Sequence, residues 1–281
     1  MAIEAFAPAK INLTLHVTGQ RDDGYHLLDS LVMLSDVGDK VTVERAAETS
    51  LTVVGPMATG VPTDRSNLVV RAADLLGVTA KITLEKSLPA MAGIGGGSSD
   101  GAATIRALCA LYGLPIPRAD ALAALGADVP VCMEPELVRM QGIGNEIDHL
   151  DTPPDWPMIL VNPRVSVSTP EVFSSMCVRD NPLMTEPFPD WSDFDGTVAW
   201  LSEQRNDMQG AAIELQPVIG QVLAELSQTE GCALARMSGS GATCFAIYKT
   251  APERDAALRG LRRQHPDWWS VATQRVGARF A

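Results

Sequence analysis

The sequence has few basic residues and no run rich in lysine or arginine. Its 281 residues include 22 lysines and arginines against 34 aspartates and glutamates, a formal net charge of −12. Proteins that bind nucleic acid present a basic patch to the phosphates, so this composition excludes nucleic acid as the main partner. An anionic small molecule would instead need a local set of N–H donors and cations.

Cysteine pairs, long apolar runs and metal-ligand spacings are also missing. The five cysteines are widely separated and form no CxxC pair, which is typical of reduced thiols in the cytosol. No apolar run could span a bilayer, and the first residues lack the basic and apolar regions of a signal peptide. His16, His149 and His265 have no metal-ligand spacing. We therefore expect a cytoplasmic protein with no membrane partner.

The most informative feature present is the glycine-rich segment 89–100. Residues 81–85 before it alternate as a half-buried strand does, and residues 105–112 after it show helical spacing up to Gly113. The glycines therefore sit where a helix begins, and a helix N-terminus carries unpaired N–H groups and partial positive charge. This context predicts a phosphate cradle, and the alternative is a glycine-serine linker or a capped turn.

Neither common nucleotide fingerprint fits this segment. No Gly-Lys-Ser/Thr follows the glycines, which excludes a Walker A loop. Position 98 is serine where the dinucleotide-binding pattern needs glycine. If phosphate binds here, it binds in another kind of loop.

The rest of the pattern predicts an α+β chain with a boundary in the proline-rich segment 151–157, dividing it into domains 1–152 and 153–281. Residues 11–17 alternate as a strand with one buried face does. In such a strand the side chains of Lys10 and Asn12 point to the same side. The other predicted elements are strands at 27–34 and 40–45, helices at 68–76 and 118–126, a strand at 158–161, a helix capped by Thr169, a loop at 181–189, a helix at 219–226, two strands flanking 238–241, a helix after Pro252 and a strand near Val271.

Three separated segments resemble the three motifs of the GHMP kinases, named for galactokinase and for homoserine, mevalonate and phosphomevalonate kinases. They are Pro-Ala-Lys-Ile-Asn-Leu at 8–13, the segment 89–100, and Met-Ser-Gly-Ser-Gly-Ala at 237–242, in matching order and spacing. The resemblance spans nearly the whole chain. It implies a two-domain α+β fold, with an N-terminal domain like ribosomal protein S5 domain 2, a ferredoxin-like C-terminal domain, and the active site in the cleft between them.

Two further segments narrow the activity that this resemblance implies. Residues 19–26, ending in Asp-Gly-Tyr-His, and Leu-Gly-Ala-Asp-Val-Pro at 125–130 are similar to members that phosphorylate a cytidine diphosphate sugar-alcohol on its 2-hydroxyl. The implied reaction uses ATP with Mg²⁺ and belongs to the non-mevalonate route to isoprenoids. The alternatives are a mevalonate or homoserine kinase, which needs no cytidine pocket, and a nucleotide-binding protein without catalysis, against which the presence of both Lys10 and Asp128 argues.

The resemblance also implies the residues of the site. Asp128 matches the catalytic base and Lys10 its cationic partner; taken singly, they would be a helix cap and a solvated strand residue. Asn67 and Lys86 match positions near the adenine, although both could equally be surface residues, and Phe173 could be core packing. The backbone around the phosphates would be Pro89, Ala90, Met91, Ala92, Gly93, Ile94, Gly95, Gly96, Gly97, Ser98 and Ser99, with Met91 and Ala92 where the family more often has glycine. The residues matching the substrate site are Asn12, Tyr25, His26, Thr169 and Phe173.

Overall fold

The computed structural model describes residues 1–151 and 154–280, and its first half is built on one seven-stranded sheet. The path runs β4-β5-β3-β6-β7, and β1 and β2 also pair with β3. The elements of this half are β1 (Ala2–Asn12), β2 (His16–Gln20), β3 (His26–Arg45), β4 (Ser50–Val54), α1 (Leu68–Leu76), β5 (Ala80–Glu85), α2 (Gly96–Tyr112), α3 (Ala119–Leu125), a 3₁₀ turn (Val131–Met133), β6 (Val138–Gly142) and β7 (Glu146–His149).

The second half is built on a four-stranded antiparallel sheet in the order β11-β8-β10-β9. Thr152 and Pro153, where the predicted domain boundary falls, lie outside the described residues. The elements of this half are β8 (Met158–Asn162), α4 (Thr169–Ser175), α5 (Phe194–Glu203), α6 (Gln209–Leu215), α7 (Val218–Ser227), β9 (Cys232–Met237), β10 (Cys244–Tyr248), α8 (Ala251–Gln264), β11 (Trp269–Thr273) and a 3₁₀ turn (Gly277–Phe280). Among the described residues, no helix has the length and apolarity needed to cross a membrane.

The prediction of two strands at 27–34 and 40–45 was wrong, because β3 runs without a break through residues 35–39. That stretch looked like a connection because Asp36, Gly38 and Asp39 interrupt the apolar pattern. The Asp39 carboxylate is buried and accepts hydrogen bonds from Nζ of Lys86 and the amide of Leu88. Such bonds let a polar residue sit inside a continuous strand.

The prediction that residues 11–17 form one strand with a single buried face was also wrong. β1 ends at Asn12, and the polar residues of the segment are buried as fully as the apolar ones. Chain from the second half covers the polar side: the Thr14 hydroxyl contacts Met184, and a ring nitrogen of His16 accepts from the amide of Arg205. Asn12, on the same side, lines the cleft described below.

Most of α2 is buried, which explains its small residues. Leu108 packs with the core beneath β3 and β5, whereas Ile105 packs with the core around α3 and β6. The helix therefore packs against apolar residues on two sides. Its burial fixes the position of its first turn, which faces the cleft between the two halves.

Candidate active site

The three segments that resemble the GHMP kinase motifs, residues 8–13, 89–100 and 237–242, meet in the structure. The amide of Lys10 donates to the carbonyl of Ile94 at 2.8 Å, which ties β1 to the loop before α2. The Ser238 hydroxyl donates to the carbonyl of Gly93 at 3.1 Å and accepts from the amide of Asn12 at 3.0 Å. One serine therefore joins all three segments into a single wall.

Gly93 stands where the two glycine-rich loops touch. Its φ is +72°, and a Cβ atom there would lie 2.5 Å from the carbonyl oxygen of Ser238 and 2.6 Å from the amide nitrogen of Gly241. Both the left-handed backbone and the close approach exclude a side chain. The contact between the loops therefore depends on glycine at this position.

The first turn of α2 opens into the cleft with its amides available. Gly95 precedes the helix with φ +63°, and no side chain caps the helix start. The first N–H groups of a helix have no partner within it, and they attract anions. Residues 95–98 line a cavity of about 480 Å³, here called the glycine cavity, together with Lys10, Asn12 and Asp128.

Lys10 and Asp128 form an ion pair on the wall of this cavity. Nζ of Lys10 donates to Oδ2 of Asp128 at 2.8 Å, and the two side chains are 6% and 35% exposed. Asp128 lies in the turn after α3, so its carboxylate reaches the cleft while the helix stays packed below. The predicted pairing is present.

A second cavity of about 670 Å³, here called the aromatic cavity, adjoins the first. It is lined by Tyr25, His26, Phe173 and Arg179. Three of the predicted site residues, Asp128, Thr169 and Phe173, line both cavities. A molecule held in the aromatic cavity can therefore present a group at Asp128, beside whatever occupies the glycine cavity.

The rings of His26 and Phe173 stack in parallel, with centroids 4.0 Å apart and planes inclined by 6°. Nε2 of His26 is buried and has no hydrogen-bond partner among the described residues. Burial, and secondly the charge of Arg179, lower the pKa of His26 below its ordinary 6.5. The neutral imidazole offers one donor and one acceptor, which suits a flat ring with polar edges.

Comparisons with known proteins agree with this geometry. Residues 67–134 match the model of the GHMP kinases N terminal domain, and residues 190–267 match that of the GHMP kinases C terminal domain. The chain is 52% identical to a 4-diphosphocytidyl-2-C-methyl-D-erythritol kinase of Cereibacter sphaeroides, over 98% of this chain and 99% of that one. It is also 52% identical to the protein of that name from Ruegeria pomeroyi, over 96% and 98%. The chain belongs to the GHMP kinase family.

Solved structures of GHMP kinases share this fold. A crystal structure of 4-(cytidine 5'-diphospho)-2C-methyl-D-erythritol kinase aligns with a TM-score of 0.76 at 31% identity, over 96% of this chain and 99% of that one. A crystal structure of a mevalonate kinase aligns with a TM-score of 0.63 at 12% identity, over 98% of each chain, which concerns the fold alone. The predicted two-domain GHMP kinase fold is thereby confirmed.

Two residues predicted near the adenine of this GHMP kinase are not among the described residues that line either cavity. Asn67 caps α1: its Oδ1 accepts from the amide of Val69, and its Nδ2 donates to the carbonyl of Pro62. The Lys86 side chain is only 4% exposed, so the alternative that it is a surface residue is wrong. The adenine role of both stays a prediction.

Lys86 belongs to a buried charge cluster that the sequence did not reveal. Its Nζ donates to Asp39 at 2.5 Å and to Asp100 at 2.7 Å, beneath the first turn of α2. Burial is the largest influence on Asp100 and raises its pKa to about 8, although Lys86 opposes the shift. Asp100 is therefore a weaker acid in the folded protein than in water, because burial disfavours its charged form. The sequence carries no local signal of this cluster, because Asp39 stands close to Asp36 and Lys40 in a polar stretch.

The predicted phosphate loop divides into residues that face the cavity and residues that support it. Met91 lines the cavity with φ +50°, and the residue is 64% exposed. Ile94 packs into the core, and Ser99 is buried with its hydroxyl unpartnered among the described residues. Pro89 and Ala90, like these two, are not among the described lining residues.

Proposed function

We propose that this GHMP kinase transfers the γ-phosphoryl group of ATP to the 2-hydroxyl of 4-diphosphocytidyl-2-C-methyl-D-erythritol. The observation that carries the proposal is the meeting of two cavities at Asp128, one lined by a helix N-terminus and the other by aromatic rings. The names of relatives about half identical over nearly the full chain support this substrate.

The glycine cavity suits the phosphates of ATP. Residues 95–98 line it at the start of α2, where no side chain caps the helix, and Lys10 lies on its wall. The protein carries a net charge of −12, so an anionic nucleotide needs these local positive groups. Phosphoryl transfer depends mainly on alignment and on neutralising charge in the transferring group.

Asp128 is the proposed base for the attacking hydroxyl. As the 2-oxygen forms a bond to the γ-phosphorus, its proton passes to the Asp128 carboxylate, and the bond from phosphorus to the bridging oxygen of ADP breaks. Lys10 holds that carboxylate in place through its 2.8 Å contact and places positive charge beside the transferring group.

Mg²⁺ is expected to accompany ATP. The oxygens on the wall of the glycine cavity include the Ser98 hydroxyl and the Asp128 carboxylate. Mg²⁺ prefers oxygen ligands and is usually held by one or two protein groups together with substrate phosphates, so these residues fit the ion. When bound, it would neutralise charge on the phosphates.

The aromatic cavity suits the cytidine. Tyr25 and Phe173 provide ring surfaces for stacking, and the free nitrogen of His26 can hydrogen-bond the edge of the base. A mevalonate or homoserine kinase would have no use for these groups. We also place the protein in the cytoplasm, which agrees with its five free cysteines.

The deciding experiment is a coupled ADP-release assay with the diphosphocytidyl substrate, mevalonate and homoserine side by side. We expect turnover with the first alone, and phosphorus NMR of the product should show a new phosphate monoester at the 2-position. Turnover of mevalonate or homoserine at an equal or higher kcat/KM would assign the chain to another branch of the family.

A further inference from the structure

Among the described residues that line the aromatic cavity, Arg179 is the one with a permanently positive side chain. The two carboxylates of that cavity already have partners: Asp128 pairs with Lys10 and Asp23 with Arg21, each at 2.8 Å. Within residues 1–151 and 154–280, no carboxylate pairs with Arg179. Its positive charge is therefore available to a ligand, in a protein that is strongly acidic overall.

The hydrogen-bonding state of Arg179 also points to a missing partner. One terminal nitrogen donates to the carbonyl of Ser174 at 3.0 Å, which anchors the guanidinium to the end of α4. Its Nε is buried and has no partner among the described residues. A buried donor without a partner costs free energy, and guanidinium donors match phosphate oxygens in pairs.

The position of Arg179 fits one part of the proposed substrate. In that molecule a diphosphate joins the cytidine to the sugar-alcohol. With the cytidine at the rings of His26 and Phe173 and the 2-hydroxyl at Asp128, the diphosphate must lie between these two places. All of these groups line the same cavity as Arg179. We propose that Arg179 binds the diphosphate of the substrate and so determines the preference for a nucleoside diphosphate derivative. This inference rests on the proposed function.

The test is calorimetric titration with cytidine, CMP and CDP, with the ATP site filled by a non-hydrolysable ATP analogue. Wild type, Arg179→Gln and Arg179→Lys are compared, and Arg263→Gln is the control because it removes the same charge from an exposed position on α8. We expect Arg179→Gln to weaken CDP binding about ten-fold or more, with cytidine binding changed less than about two-fold. The lysine variant should recover part of the loss, and the control should match wild type.

The proposal is overturned if Arg179→Gln leaves CDP binding unchanged, or if cytidine and CDP weaken by the same factor. The second result would mean that Arg179 acts on the base pocket instead. The failure of the proposed function looks different, because wild type would then not phosphorylate the diphosphocytidyl substrate. A selective loss of CDP binding would in that case still support Arg179 as a ligand of the diphosphate.

Discussion

Nζ of Lys10 and Oδ2 of Asp128 lie 2.8 Å apart, although 118 positions separate the two residues in the chain. Lys10 is fixed by β1 and by its backbone bond to Ile94, and Asp128 by the turn after α3. The pair therefore has little freedom to rearrange. A fixed cation and carboxylate at the meeting point of two cavities is the arrangement that phosphoryl transfer to a hydroxyl needs.

Asp128→Asn keeps the shape of the side chain and removes the proton acceptor. We expect kcat to fall by about two to four orders of magnitude, with ATP affinity nearly unchanged. Steady-state kinetics and ATP calorimetry check this, with Asp120→Asn on α3, an exposed residue, as the control. Activity within a few-fold of wild type would exclude Asp128 as the base.

Lys10→Met should lower kcat to a similar extent, because the ammonium and the carboxylate act as a unit. For the same reason, the kcat of the double variant with Asp128→Asn should be little lower than that of the less active single variant. Kinetics of all four proteins form a double-mutant cycle. Losses that multiply fully would show that the two residues act independently.

Most of the site residues that the sequence predicted lie within short motifs. The glycines before α2, Lys10 and Asp128 could be placed because the local pattern of strand, glycines and helix already implies a helix N-terminus, and because the family motifs are contiguous. Arg179 and the cluster around Lys86 could not be placed in this way. Asp39 and Lys86 are 47 positions apart, and only the pairing of β3 with β5 brings them together.

The local sequence pattern also could not show that chain from the second half of the protein buries part of the first half. Alternation at residues 11–17 predicts one exposed face, yet Thr14 and His16 are covered by chain that follows residue 180. The space around a glycine also has to be read from the structure: a Cβ at Gly96 would lie 3.6 Å from Nζ of Lys86, an ordinary contact. The strict requirement for glycine falls on Gly93 instead.

Gly93→Ala should separate the two glycine-rich loops, because its Cβ would lie 2.5 Å from the carbonyl of Ser238. We expect a loss of about 1–3 kcal/mol in stability and a clear loss of ATP affinity. Gly260→Ala is the control, since its Cβ would meet nothing within 4 Å inside α8. Urea unfolding and ATP calorimetry check both variants, and an unchanged Gly93→Ala protein would contradict the assigned contact.

Lys86→Met should be strongly destabilising, because it leaves Asp39 and Asp100 buried without their cation. The expected loss is about 3 kcal/mol or more in the free energy of unfolding. Lys81→Met, which removes an exposed lysine, should cost less than about 1 kcal/mol. Equal urea midpoints for the two variants would show that the buried cluster contributes nothing.

Asp100→Asn should change how stability depends on pH. The folded pKa of about 8 lies above the ordinary 3.8, so between these values the folded chain binds a proton that the unfolded chain releases. The stabilisation is complete below 3.8 and is lost as the pH rises to about 8. From pH 6 to pH 8, wild type should therefore lose up to about 1 kcal/mol per pH unit relative to Asp100→Asn. Parallel stability curves would contradict the raised pKa.

Phe173→Ala should raise the KM for the diphosphocytidyl substrate about ten-fold or more, because stacking of a base on an aromatic ring contributes about 1–3 kcal/mol. The KM for ATP should hardly change, because the substitution removes a ring surface and none of the amides or charges proposed to hold the phosphates of ATP. A substrate that lacks the cytidine is the matched comparison, and Phe173→Ala should handle it as wild type does. If wild type phosphorylates that substrate as efficiently as the full one, cytidine recognition is absent.

His26 should give the proposed cytidine pocket a pH dependence. Because burial and Arg179 lower its pKa below 6.5, the ring is neutral at pH 7 and keeps an acceptor for the amino group of cytosine. The KM for the substrate should stay constant from pH 8 to pH 7 and rise only when the pH falls through the lowered pKa. His26→Asn cannot titrate there and should abolish the rise, and His26→Ala should reduce the preference for cytidine over uridine about ten-fold. If the rise persists in His26→Asn, another group reads the edge of the base, because a side chain that does not titrate in this range cannot carry that dependence.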